Sequence, residues 1–235
     1  MVLILIFKVI ATLLVFVDTV DAHWNFDITS SPTRAINNVS HVTRAFWMRR
    51  ANAALLDVSR SPCPFLPFGS VVVNHTSGEG IGEEVCIGAN SGSKTGNPIL
   101  HGEIAAIINC TTVLTDPNGR YRLSPKEALE AFPKLSFYTN AESCPMCASA
   151  IRWSGFREYI YGTSIDALIV EGWGQIRVPS IDIFRESFDF PYQSRLLGGL
   201  LANETDPLFQ WQFNPDAACP LGCQRDKGGC EPSNG

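Results

Sequence analysis

Leu100-His101-Gly102-Glu103-Ile104 and Glu142-Ser143-Cys144-Pro145-Met146-Cys147 decide the reading of this chain. Cysteines spaced C-x-x-C at a helix start turn both thiolates toward one point, where the helix N-terminus favours negative charge. A neutral imidazole and two thiolates make a donor set of borderline softness that suits zinc. Three protein ligands leave a fourth position for water, the mark of a catalytic rather than a structural site. Glu103 follows His101 at the second position, so its carboxylate is placed for the water's proton instead of the metal. Taken alone, C-x-x-C also describes a redox pair or an oxidised bridge, and a lone histidine is commonly a core residue. H-x-E and C-x-x-C together favour a zinc hydrolase.

Working outward, apolar residues at Val42, Ala45, Phe46, Ala53 and Leu56 predict an amphipathic helix over 40–57. Ser61-Pro62-Cys63-Pro64-Phe65-Leu66-Pro67 ends it, because proline lacks an amide donor and restricts its predecessor. The β-branched runs 68–73 and 85–89, separated by a Gly-rich turn, read as a hairpin. A buried helix over 101–110, a strand over 135–139, a helix over 146–153 and a strand over 158–162 follow, with a last short strand expected near 176–178. Within 111–133, Asp116-Pro117-Asn118-Gly119 signals a turn. Ser124-Pro125-Lys126-Glu127 signals a helix start with a capping box. Two strands followed by alternating helices and strands indicate one α/β domain with a mixed sheet.

With these motifs in place, the chain resembles the zinc-dependent cytidine/deoxycytidylate deaminase superfamily, whose signature is H-x-E followed by P-C-x-x-C. It looks most like the nucleobase branch of cytosine, guanine and tRNA adenosine deaminases. Leu100–Ile104 is similar to the cytosine deaminase form, and 142–147 with Ala150-Ile151 to the guanine and adenosine deaminase form. The helix around 46–51 and the strand 68–73 also match. The resemblance implies a three-layer α/β/α domain with a mixed five-stranded sheet. It implies zinc held by His101, Cys144 and Cys147, with Glu103 as proton shuttle. Gly88-Ala89-Asn90 matches the family's G-x-N element, making Asn90 a base-binding candidate, and the backbone around Gly102 and Ser143 is expected to contact the base and its amine. The implied activity is hydrolytic release of ammonia from a free nucleobase or nucleoside, in a homodimer. Ser143 replaces the usual proline before the first cysteine. The connection from His101 to Cys144 is longer than usual, with 111–133 as an insertion that could reshape the pocket rim or subunit contacts. Trp153 and Trp173 are candidates for stacking on the base, with plain packing as the alternative. Phe209, Trp211 and Phe213 read as a lid or as a peripheral strand.

The 235 residues carry a net charge of -5, a poor match to nucleic-acid backbones. Small-molecule substrates are therefore expected instead of nucleic acid. The apolar stretch 1–22 ends in Val20-Asp21-Ala22 and reads as a cleaved secretory signal, with Lys8 leaving too short a run for a membrane span. The sequons at Asn38, Asn74, Asn109 and Asn203 support a secreted glycoprotein, although Asn109 falls on the predicted helix. The expected layout is a signal peptide at 1–22, an N-terminal extension at 23–39, the deaminase domain at 40–195 and a cysteine-containing tail at 196–235. Of the eight cysteines, Cys144 and Cys147 go to zinc. If the rest pair, an odd number of bridges joins body to tail, with Cys63 the preferred body partner. Cys86 and Cys110 are also readable as buried free thiols. Two other classes remain: a catalytically silent deaminase-like binding protein, and a secreted copper protein using an N-terminal His23, which would need a second histidine beside it.

Overall fold

The computed structural model describes residues 36–76 and 80–233. The expected signal segment at 1–22, His23 and most of the expected N-terminal extension lie outside the described residues. The chain opens with helix α1 (His41–Ser59), strands β1 (Gly69–Asn74) and β2 (Glu83–Ala89), the short helix α2 (Gly92–Thr95) and helices α3 (Gly102–Thr115) and α4 (Pro125–Ala131). It continues through β3 (Ser136–Ala141), α5 (Pro145–Ser154), β4 (Glu158–Thr163), α6 (Ile165–Val170), α7 (Ser180–Glu186), β5 (Arg195–Leu197) and α8 (Ala202–Thr205). A hairpin of β6 (Cys223–Asp226) and β7 (Gly229–Pro232) closes it.

The main sheet has the order β2-β1-β3-β4-β5. The β2–β1 and β1–β3 pairings are antiparallel, and β3–β4 and β4–β5 are parallel. This is the mixed five-stranded α/β fold that the resemblance implies. Because side chains alternate along a strand, successive residues of β1 feed opposite cores. Val71 and Val73 meet Trp47, Met48 and Ala51 of α1 on one face. Val72 meets Ala106, Cys110 and Ile151 of α3 and α5 on the other. Where α3 crosses β2, a side chain on Gly88 would collide with the backbone of Ala106.

The fifth strand is Arg195–Leu197, not the expected 176–178. Residues 174–179 have no regular structure, because the loop is used to border the cavity described below. The sheet therefore crosses the expected boundary at residue 195, and the tail supplies part of its edge. Phe209 closes a 3-10 turn, Asp206–Phe209, so no strand forms there. The insertion contains the capping box, with Ser124 Oγ accepting from Glu127 N and Glu127 Oε2 accepting from Ser124 N. Its Leu114, Ala128 and Phe132 extend the α3-side core, and none of its residues lines the cavity.

Three disulfides are formed: Cys63–Cys223, Cys86–Cys110 and Cys219–Cys230. Cys63 is the partner that ties body to tail. Cys86 and Cys110 are not free thiols; close packing of α3 on β2 brings their Cα atoms to 5.0 Å. Among the described residues no helix is long and apolar enough to cross a membrane.

Candidate metal centre and active site

Both motif halves stand at helix starts beyond one end of the sheet. His101 is the residue before α3, in extended conformation, and its carbonyl accepts from Ala105 N at 2.9 Å. Cys144 occupies the same place before α5, with Pro145 at the first helical position and Cys147 in the first turn. Parallel β3, ending at Ala141, delivers Cys144 to this point. Gly102 is required here, since a Cβ would stand 2.5 Å from Phe68 O.

His101 Nδ1 lies 3.6 Å from Cys144 Sγ and 3.6 Å from Cys147 Sγ. A tetrahedral zinc, with Zn–S near ~2.3 Å and Zn–N near ~2.0 Å, separates its nitrogen and sulfur donors by about 3.5 Å. The donor set therefore fits zinc in both chemistry and spacing, and these three residues form a possible metal site. The local electrostatics favour a single thiolate, at Cys144. The hydrogen bond from Cys147 draws the Cys144 thiol down to about 4, helped by His101. Cys147 is pushed up, first by that same bond and then by burial. His101 is raised, first by its hydrogen bond to Cys144.

Glu103 is buried in the first turn of α3. Burial pushes its carboxyl above the usual range, the Cys144 charge adds to this, and the Ser143 hydroxyl opposes it. Burial thus favours the protonated form of this carboxyl more than water does.

A cavity of about 410 Å³ opens over these groups. Its wall includes Asn90, His101, Glu103 and Cys144, with Leu66, Phe68, Trp173 and Gln175 around them. Asn90 N donates to Phe68 O at 2.9 Å, and Asn90 Oδ1 accepts from Gly92 N at 3.1 Å. That leaves the Asn90 Nδ2 amide group without a protein partner among the described residues, on a residue that lines the cavity. Gly102 and Ser143 do not line the cavity. Ser143 N donates to Tyr159 Oη at 2.6 Å.

Trp173 lines the cavity and Trp153 does not: Trp153 is 77% exposed and lies against Phe190. His75 bonds Tyr138 Oη at 2.9 Å. Sequence reasoning missed Glu142 and Asn140. Glu142 is buried and accepts from Ile165 N, Ser180 N and Ser180 Oγ, bracing the loop that brings Trp173 to the cavity. Asn140 receives Gly69 N and donates to Pro67 O, fixing the segment that carries Phe68. Their only sequence signal is polarity at the end of an apolar strand leading into C-x-x-C.

The family of the chain is given by its match to known proteins. The cytidine and deoxycytidylate deaminase zinc-binding region matches residues 43–163, which is more than half of the chain. A probable cytosine deaminase from Schizosaccharomyces pombe is 29% identical over 103 residues, 44% of this chain and 51% of the relative. The chain thus spans about half the length of that curated relative. A guanine deaminase structure from Nitrosomonas europaea superposes with a TM-score of 0.50 at 17% identity, over 71% of this chain and 80% of the other. A structure described with A-to-I editing by tRNA deaminases at the wobble position gives 0.47 at 21% identity, over 70% and 99%. Motifs, fold and matched region together place the chain in the cytidine and deoxycytidylate deaminase family, of which it carries the zinc-binding region.

Proposed function

We propose that this protein is a zinc-dependent hydrolase that deaminates a free nucleobase or nucleoside of the cytosine, guanine or adenosine type. The observation that carries this reading is a buried, pKa-raised carboxyl, Glu103, beside a His101–Cys144–Cys147 donor set in the wall of a cavity. Zinc, when bound by these donors, supplies the Lewis acidity that makes water nucleophilic near neutral pH. Glu103 takes a proton from the attacking water and passes it to the ring nitrogen. It then takes the second proton, from the hydroxyl now bonded to carbon, and gives it to the departing amine, so a C–O bond forms, a C–N bond breaks and ammonia leaves. Asn90 Nδ2 donates to an acceptor on the base, and Trp173 walls the cavity so that a flat ring enters edgewise toward Glu103.

The reading includes export as a glycoprotein, supported by the sequence of 1–22, the sequons and the disulfides, which persist in oxidising compartments. It also includes a homodimer acting on small molecules. Asn38 and Asn203 are exposed acceptors, whereas the Asn109 side chain accepts from Ile87 N within the fold. The test is to purify the exported protein, measure zinc, and follow ammonia and product mass with cytosine, guanine, adenine and their nucleosides. Stoichiometric zinc and turnover of one of these is expected. Zinc-loaded protein that releases no ammonia from any of them would refute the reading.

A further inference from the structure

The tail is bound to the same short segment that builds the cavity wall. Cys63 is joined to Cys223 across 160 residues of sequence. Trp211 packs with Cys63 and Cys230 in a buried cluster. The Phe65 ring contacts Trp211, Trp173 and Phe213, at centroid distances of 6.0, 6.0 and 6.3 Å. Gln212 Nε2 donates to Phe65 O at 3.3 Å, and Trp173 Nε1 donates to Phe209 O at 2.8 Å. From Phe65 the chain runs directly into Leu66 and Phe68, which line the cavity, and Phe68 O receives the Asn90 amide.

We propose that the C-terminal tail positions the substrate-binding wall. Through Cys63–Cys223, Trp211 and Gln212 it holds segment 63–69, and through the Phe68 carbonyl it fixes the orientation of Asn90. Among the described residues the tail contributes none to the cavity wall around Glu103, so the tail acts on binding of the ring and not on the chemical step. This inference rests on the cavity being the base site. Loosening the wall therefore raises KM while leaving kcat near its original value, the pattern of lost uniform binding.

The experiment compares the wild-type chain with Cys63→Ser/Cys223→Ser and, separately, with Trp211→Leu, which keeps the bridge. Three quantities are read: zinc content, hydrogen exchange at the Asn90 amide, and kcat and KM for whichever base the wild type turns over. Exchange at Asn90 about tenfold faster is expected in both variants, with unchanged zinc and KM raised about tenfold at similar kcat. Unchanged Asn90 exchange in both variants overturns the proposal. So does a fall in kcat with unchanged KM. A wild type that turns over nothing would refute the deaminase reading, while the exchange measurement would still decide whether the tail holds this wall.

Discussion

Replacing Arg44 with methionine removes one half of a fully desolvated ion pair. Arg44 of α1 donates to Glu158 of β4 through Nη1 at 3.1 Å and Nη2 at 2.8 Å. Asn37 Nδ2 and Ser136 Oγ donate to the same carboxylate at 2.7 and 2.9 Å. The Glu158 side chain is 1% exposed, so water cannot take over the lost guanidinium bonds. Methionine fills much of the volume but leaves a buried carboxylate with two neutral donors. Breaking a buried pair from one side costs about 3–5 kcal/mol. For a chain of this size that lowers Tm by roughly 6–20 °C, at about 2–4 °C per kcal/mol. Urea unfolding of both proteins at pH 7 measures the loss as a shift in midpoint at constant slope. Arg44→Met/Glu158→Met together should recover part of the loss, since no charge then stays buried. The zinc site is at the other end of β3, so zinc content should not change. A loss below about 1 kcal/mol would refute the reasoning, because that is the behaviour of a pair screened by solvent.

Glu103→Gln keeps shape and hydrogen-bonding capacity but removes the titrating carboxyl; kcat should fall about 10²–10⁴-fold with zinc retained, measured by ammonia release and metal analysis. Asn90→Ala should raise KM more than it lowers kcat, because only a binding donor is lost; steady-state kinetics on the identified base checks it. Cys86→Ala/Cys110→Ala opens a bridge of sequence separation 24 and should cost about 3 kcal/mol in denaturant unfolding, with zinc unaffected. Burial holds His75 down to about 4, against an ordinary 6.5, so the unfolded chain binds the extra proton first. Stability from this group is complete above pH 6.5 and is lost as pH falls toward 4, and a His75→Gln variant should show a flatter acid limb in Tm against pH.

The site was legible because its chemistry is local. His101 with Glu103, and Cys144 with Cys147, each sit within one helical turn, so spacing places each half, while the joining of the two halves into one site was what the family resemblance implied. The hairpin and the α4 capping box were legible for the same reason. What escaped was set by distant pairing. Ile176–Val178 has strand-like residues, yet Glu142 anchors the following Ser180 and the segment becomes cavity rim. Arg195–Leu197 has no strand signature of its own. It is recruited by β4, starting with the bond from Arg195 N to Arg157 O. The Cys86–Cys110 bridge depends on how closely α3 lies on β2, which Gly88 permits but does not announce. Trp153 and Trp173 are the same residue type in similar company, and only the tertiary fold sends one to solvent and the other to the cavity.

The Cys63–Cys223 bridge also changes what a protease can do to this molecule. The exposed loop at 174–177 is the kind of segment that proteases cut first. A single cut anywhere between the two half-cystines leaves both pieces covalently joined. Such a nicked molecule runs as an intact chain on a non-reducing gel and separates into two bands only after reduction. A preparation can therefore be cleaved at the rim of its own cavity and still keep every fragment of the domain attached.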